Sequence, residues 1–233
     1  MRYKFPSRKV FVAGILIYCL CLTFPGCQDN SLKDKNPMGL LIEKLIPDSQ
    51  KQKQELVSRL GSDDPDLRRE GVLMLRKEKL SRQIDTPTIL GIMAQGDPSP
   101  LVRAASVQVL AEIGPEKIAA PVLAERVNDI SPLVRTESIQ ALGLKNDEAS
   151  RELLIKVLSL ETDSEVRTEI IAALAHHPHI KTMRALIRIL PEEEFNHSYA
   201  AYQSLKQITG EDFGLDSEKW EQWLKTTSDH KEK

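Results

Sequence analysis

Arginine stands at positions 68, 103, 135 and 167, and serine takes the fifth place at 198, at intervals of 35, 32, 32 and 31 residues. The chain repeats itself around that column. Leu67, Val102, Val134, Val166 and His197 come just before it. Val72, Val107, Ile139, Ile171 and Tyr202 lie four places after it, and Leu75, Leu110, Leu142, Leu174 and Leu205 seven places after. Those offsets put the apolar residues on one face of a helix. One such motif cannot bury its face alone, so units repeated at this period must stack on one another. The expected fold is an all-α solenoid of about five helix pairs with a C-terminal capping helix. The period constrains shape strongly and chemistry weakly.

Composition agrees with helices packed through aliphatic layers. Aromatic residues are 5% of the chain, and the 32 basic side chains nearly balance the 34 acidic ones. That balance does not suit a polyanion-binding protein, so nucleic acid is not an expected partner. All three cysteines, Cys19, Cys21 and Cys27, fall before residue 28. The repeats therefore hold no disulfide, thiol nucleophile or cysteine metal ligand.

Residues 1–26 read as a signal peptide. Arg2, Lys4, Arg8 and Lys9 form a basic start, and the run from Val10 to Leu22 is apolar or small throughout. Thirteen residues are too few to cross a hydrocarbon layer of about 30 Å, which needs about 20, but suit a signal-peptide core. Leu22-Thr23-Phe24-Pro25-Gly26-Cys27 resembles the lipobox of bacterial lipoproteins, in which a small residue precedes an acylated cysteine. Gly26 and Cys27 match it; Phe24 and Pro25 depart from it. The resemblance implies lipidation at Cys27 and a lipoprotein anchored in the bacterial cell envelope, facing periplasm or exterior. An ordinary cleaved signal or an uncleaved anchor are the other readings. Past the cleavage point the chain carries 28 basic against 34 acidic residues, a mildly acidic body.

Residues 27–50 are expected to form a lipid-anchored tether and a short N-terminal helix that Pro47 ends, residues 51–209 the solenoid, and residues 210–233 a cap with a frayed tail. The helix pairs are expected at Gln52–Leu60 with Asp66–Lys77, Pro87–Gln95 with Pro100–Ile113, Pro115–Val127 with Pro132–Leu144, Glu148–Leu160 with Ser164–Ala175, and His179–Leu190 with Phe195–Ile208. Pro121 would interrupt the third unit's first helix unless that helix begins near Ala119. In the cap, Trp220, Trp223 and Leu224 share one side of a helix begun at Asp216 or Ser217, preceded by Phe213 and Leu215. They are expected to shield the open face of the last unit rather than bind a ligand.

A second column accompanies the arginines. Asp64, Asp97, Asp129 and Asp163 each sit four or six places before one of them. With segments such as Asp97-Pro98-Ser99-Pro100-Leu101-Val102-Arg103, these units resemble HEAT repeats of the short type also called PBS-lyase HEAT-like. The resemblance implies a structural ladder of ion pairs between stacked loops, built from Asp64, Arg68, Asp97, Arg103, Asp129, Arg135, Asp163 and Arg167. It also implies that the second helices line the concave face. Some relatives of this type are bilin lyases or isomerases.

No catalytic motif is present: no Gly-x-Ser-x-Gly elbow, no phosphate loop and no His-Glu-x-x-His. His176-His177-Pro178-His179 is the one run with metal-ligand residues, and it is expected to be a solvated turn. The sequence therefore predicts a chain that is not an enzyme, with no catalytic residues, metal or cofactor. Two columns lie off the apolar face of the second helices. Glu70, Glu137 and Glu169 stand two places after the ladder position, and Gln108, Gln140 and Gln203 five places after. Glu137, Glu169, Gln108 and Gln140 are the expected contacts to a protein or peptide partner. The function read from this is a membrane-tethered, non-catalytic interaction scaffold. The alternative is a lyase, isomerase or chaperone for a pigment or cofactor held at the concave face.

Overall fold

A computed structural model describes residues 51–77 and 85–231, and every regular element among them is helical. The signal peptide expected over 1–26, Cys27 and the tether to residue 50 lie outside the described residues. Five pairs follow in order: α1 (Lys51–Leu60) with α2 (Pro65–Met74), α3 (Thr86–Gly96) with α4 (Pro100–Ile113), and α5 (Glu116–Arg126) with α6 (Pro132–Gly143). Next come α7 (Glu148–Leu158) with α8 (Ser164–Leu174) and α9 (Ile180–Ile187) with α10 (Phe195–Thr209), and then α11 (Ser217–Lys231).

The second helices start at one register position, though only Asp64 and Asp163 cap with their side chains. The residue four places before the ladder position is the N-cap of each: Asp64, Ser99, Ser131, Asp163 and Glu194. Asp64 accepts a hydrogen bond from the amide of Asp66, and Asp163 accepts from those of Glu165 and Val166. Each bond satisfies a donor the helix start leaves open. Pro65, Pro100 and Pro132 take the next position, where the missing N–H costs nothing. α10 stops at Gly210, whose φ of 78° lies in the left-handed region and whose amide closes on the Lys206 carbonyl. Contrary to the sequence reading, α5 does not wait for Ala119; it starts at Glu116 and runs through Pro121. Pro121 is exposed, so the ring and the hydrogen bond it forgoes lie on the solvent side rather than in the core.

The periodic columns become the core. Val72, Val107, Ile139 and Ile171 are completely buried, as are Leu75, Leu110, Leu174 and Leu205. Each second helix packs on the next, α2 on α4, α4 on α6, α6 on α8 and α8 on α10. These contacts are more extensive than those between successive first helices. Small residues permit the approach: a Cβ built on Gly143 would sit 2.9 Å from the Cβ of Ala173. Polar bonds cross the same seam. The Ser204 hydroxyl donates to the Ile171 carbonyl at 3.1 Å, and Nε2 of His177 lies 3.1 Å from the Leu142 carbonyl.

The cap helix α11 packs on α9. Trp220 is fully buried, meets Phe213 edge-on at 4.9 Å and Trp223 at 6.3 Å, and donates its indole N–H to the Gly214 carbonyl at 2.9 Å. Trp223 stays partly exposed. On α10, Phe195 and Tyr199 stay exposed and stack at 5.5 Å, while Tyr202 and Lys206 reach Asp212 in the loop before α11. Among the described residues no helix is long and apolar enough to cross a membrane.

Candidate functional site

Three of the four ladder arginines make the same two grips, and Arg167 makes a reduced version with one carbonyl and one carboxylate oxygen. Nη1 of Arg68 donates to the carbonyls of Ser62 and Asp63 in its own loop, while Nε and Nη2 donate to both carboxylate oxygens of Asp97 at 2.8 and 2.9 Å. Arg103 repeats this with the carbonyls of Asp97 and Pro98 and the carboxylate of Asp129. Arg135 holds the carbonyls of Asp129 and Ile130 and the carboxylate of Glu161. Arg167 reaches the Leu158 carbonyl and Glu192 at 2.6 Å. Paired N–H donors facing both oxygens are the strong form of this contact.

The ladder acid always sits six places before the next ladder position: Asp97, Asp129, Glu161 and Glu192. That corrects the expected set. Asp64 and Asp163, four places before their arginines, cap their own helices and take no part in the ladder. Glu161 and Glu192 are the members sequence reasoning missed. A strict six-residue offset would have found them; admitting offsets of four and six together, and only aspartate, hid them.

Electrostatics follow from burial and these bonds. Burial alone would raise the Asp129 carboxyl, but hydrogen bonds from Arg103 and the Ser131 amide, with the charges of Arg103 and Arg126, hold it below the usual carboxylate range. Glu161 is held low in the same way against its burial, by Arg135 and the amides of Asp163 and Thr162. The Asp97 hydrogen bond raises Arg68 further above its ordinary value, over the opposing effect of burial. These groups are charged, satisfied and turned into the loops. The column is structural.

The second-helix strip is uneven. Gln140 donates to Glu169 at 3.2 Å, across one unit boundary, and Gln108 accepts from Arg76 at 3.3 Å across another. Glu137 differs: it is half-buried, burial pushes its carboxyl above the ordinary glutamate range, and no hydrogen bond or ion pair satisfies it among the described residues.

The histidines divide three ways. His177 is buried against the Leu142 carbonyl, and its burial lowers its pKa. His179 caps α9 by accepting from the Lys181 amide, while His176 is exposed. The expectation of a solvated turn therefore fails at His177, because the turn folds back onto α6. Among the described residues no group of three His, Cys, Asp or Glu side chains is placed to hold a metal ion.

One nucleophile–base–acid set escaped the sequence, its serine and histidine 33 residues apart. Ser164 Oγ lies 3.3 Å from Nε2 of His197, whose Nδ1 lies 3.3 Å from Glu192 and 3.5 Å from Glu194. Nε2 is also 3.2 Å from the Ser164 carbonyl, and Ser164 Oγ donates to Glu194. A general base needs a free lone pair toward the hydroxyl. Here Nε2 faces a carbonyl that takes an N–H, so the cluster ties the fourth unit to the fifth where the ladder arginine gives way to Ser198.

Helix pairs in register, locked by a one-directional arginine–carboxylate ladder, define an all-α helical-repeat solenoid. The family model for HEAT repeats matches residues 53–143 and 86–175, over half of the chain, and the protein belongs to that family. The complex of CpcE and CpcF of phycocyanin lyase from Nostoc sp. PCC7120 is similar in fold: the TM-score is 0.53 at 18% identity, over 71% of this chain and 67% of that one. An engineered protein is similar over 75% of this chain and 97% of its own, at 19% identity and a TM-score of 0.44. No curated protein matches the chain in sequence. The expectation that the chain is not an enzyme does not stand. A phycocyanin lyase is built on this fold, so a HEAT stack without a familiar catalytic motif gives no ground for excluding catalysis.

Proposed function

We propose that this protein is a scaffold held at a bacterial cell envelope, whose second-helix strip receives a protein or peptide. Glu137 carries the reading. A half-buried carboxyl without a donor costs stability, and at the middle of the inner strip it is placed to take a hydrogen bond or cation from a partner. Gln108, Gln140 and Glu169 flank it. The test is capture from native membranes by immobilised protein, read by mass spectrometry. Glu137→Lys with Glu169→Lys is expected to abolish capture of the partner with helical circular dichroism unchanged; equal capture by the variant refutes the assignment.

The membrane attachment rests on Gly26-Cys27 following a basic and then apolar start. Buried acyl methylenes contribute about 0.8 kcal/mol each, enough for stable anchoring once more than one chain is attached. Cys27→Ala is expected to move the protein from the membrane pellet to the supernatant. A variant that still pellets argues for an uncleaved helix instead.

A second reading is favoured by the fold of the phycocyanin lyase complex. In it the concave face holds a pigment or cofactor, and the protein acts as a lyase, isomerase or chaperone. A visible absorption band in protein purified from its own cells supports it; colourless protein counts against it.

A further inference from the structure

The loop edge of the stack, above the ladder, carries an apolar row that neither the ladder nor the inner strip explains. Ile130 is 91% exposed, Leu160 67%, Leu101 45% and Leu133 40%. Leu101 and Leu133 hold equivalent positions in α4 and α6, which pack on each other. The Arg135 guanidinium touches the Ile130 carbonyl at 3.4 Å and Glu161, next to Leu160, at 2.8 Å, so these two loops lie side by side. Arg103 joins the Pro98 and Asp129 loops likewise. The Ser131 amide closes on Asp129, so the loop that displays Ile130 is fixed from both sides. A rigid exposed aliphatic row is a recognition surface in the making.

Charge says what fits it. In the second and third units the edge reads Pro98-Ser99-Pro100-Leu101 and Ile130-Ser131-Pro132-Leu133, without a charged side chain. The first unit's loop ends the row with exposed Asp63, Asp64 and Asp66, and the fourth unit's with Asp163 and exposed Glu165. Single exposed cations, Arg69 and Lys156, accompany those two groups. The pattern is acidic, apolar, acidic. An anionic bilayer or nucleic acid is repelled at both ends.

Spacing narrows it further. Packed helices stand about 8–10 Å apart, so the acidic ends are separated by about three such steps, or 24–30 Å. A polyproline II segment brings every third residue to the same side at about 9.3 Å, in step with the units. A β-strand returns to the same side about every 6.7 Å and falls out of step. The geometry points to an extended peptide segment of about ten residues, apolar at every third position and basic at both ends, as the ligand of this edge.

The probe is a fluorescein-labelled peptide, Lys-Lys-Leu-Pro-Pro-Leu-Pro-Pro-Leu-Lys-Lys, titrated with the full chain and read by anisotropy. Saturable binding is expected. Ile130→Asn and Leu133→Asn each weaken it by about tenfold or more, as removal of one buried aliphatic side chain requires. Both positions are exposed, and retained helical circular dichroism verifies the fold. Glu137→Lys with Glu169→Lys leaves the affinity unchanged, which separates this edge from the inner strip. The proposal is overturned if the peptide does not bind, if ends changed from Lys to Glu bind equally well, or if the two asparagine variants bind as the parent does. It is also overturned if sedimentation with phosphatidylglycerol vesicles, rather than peptide binding, is what Ile130→Asn abolishes, since the row would then face a membrane.

Discussion

Arg103 holds Asp129 through two parallel hydrogen bonds of 3.0 and 2.7 Å while its remaining nitrogen grips the Asp97 and Pro98 carbonyls of its own loop. Both side chains are buried. Asp129→Ala strands the guanidinium and is expected to destabilise the protein by about 3–5 kcal/mol in urea melts followed by circular dichroism. Asp163→Ala removes only a helix cap and is expected to cost about 1 kcal/mol. Equal losses would mean that the offsets of four and six do not mark different roles.

Gly143 lies where α6 meets α8. In Gly143→Ala the new methyl would press on the Cβ and Cα of Ala173 at 2.9 and 3.2 Å, atoms that cannot turn away. The expected loss is about 1–3 kcal/mol, measured by thermal melting. It should exceed any gain from alanine's better helix propensity, which is about 1 kcal/mol or less.

Acid should weaken the fold in two stages. Burial lowers the His177 pKa, and the Leu142 carbonyl and Asp147 offset this only in part. The unfolded chain therefore takes up a proton first, and stability falls as pH drops below about 6.5. Asp129 and Glu161 have depressed pKa values in the fold, so their contribution is complete above about pH 4.3 and is lost as pH falls through their folded values. In denaturant titrations at fixed pH, His177→Gln should flatten the first stage and leave the second.

Trp220 anchors the cap. Trp220→Ala opens a cavity beside Phe213 and is expected to cost about 3–5 kcal/mol. Trp223 is then the one tryptophan left, and its emission should shift to the red as α11 detaches from α9. An unshifted spectrum would show that Leu224 and the loop before α11 hold the cap alone.

The helix pairs and the buried columns at Val72 and Leu75 and their repeats were legible because hydrophobic period and stacking make the same demand. The ladder was half legible. Arginine alone offers one fork for two carboxylate oxygens and loop carbonyls, so it holds the column through the first four units; the acid needs only a carboxylate, and aspartate gives way to Glu161 and Glu192. The caps obscured this further, since Asp64 and Asp163 share residue type with the ladder acids. The inner strip was legible as a face but not as chemistry. Which glutamines pair with Arg76 and Glu169, and which carboxyl stays without a donor, depends on side chains about 30 residues apart in the chain. The Ser164–His197 tie was invisible for the same reason.

The ladder runs in one direction, from each arginine to the acid of the following unit. A further unit carrying its own acid and arginine, spliced between any two from the first to the fifth, would receive one bond and give one, leaving no charge orphaned. A unit appended after Ser198 would bring an acid that no arginine answers. Lengthening by internal duplication is therefore electrostatically neutral in this molecule, and growth from the carboxyl end is not.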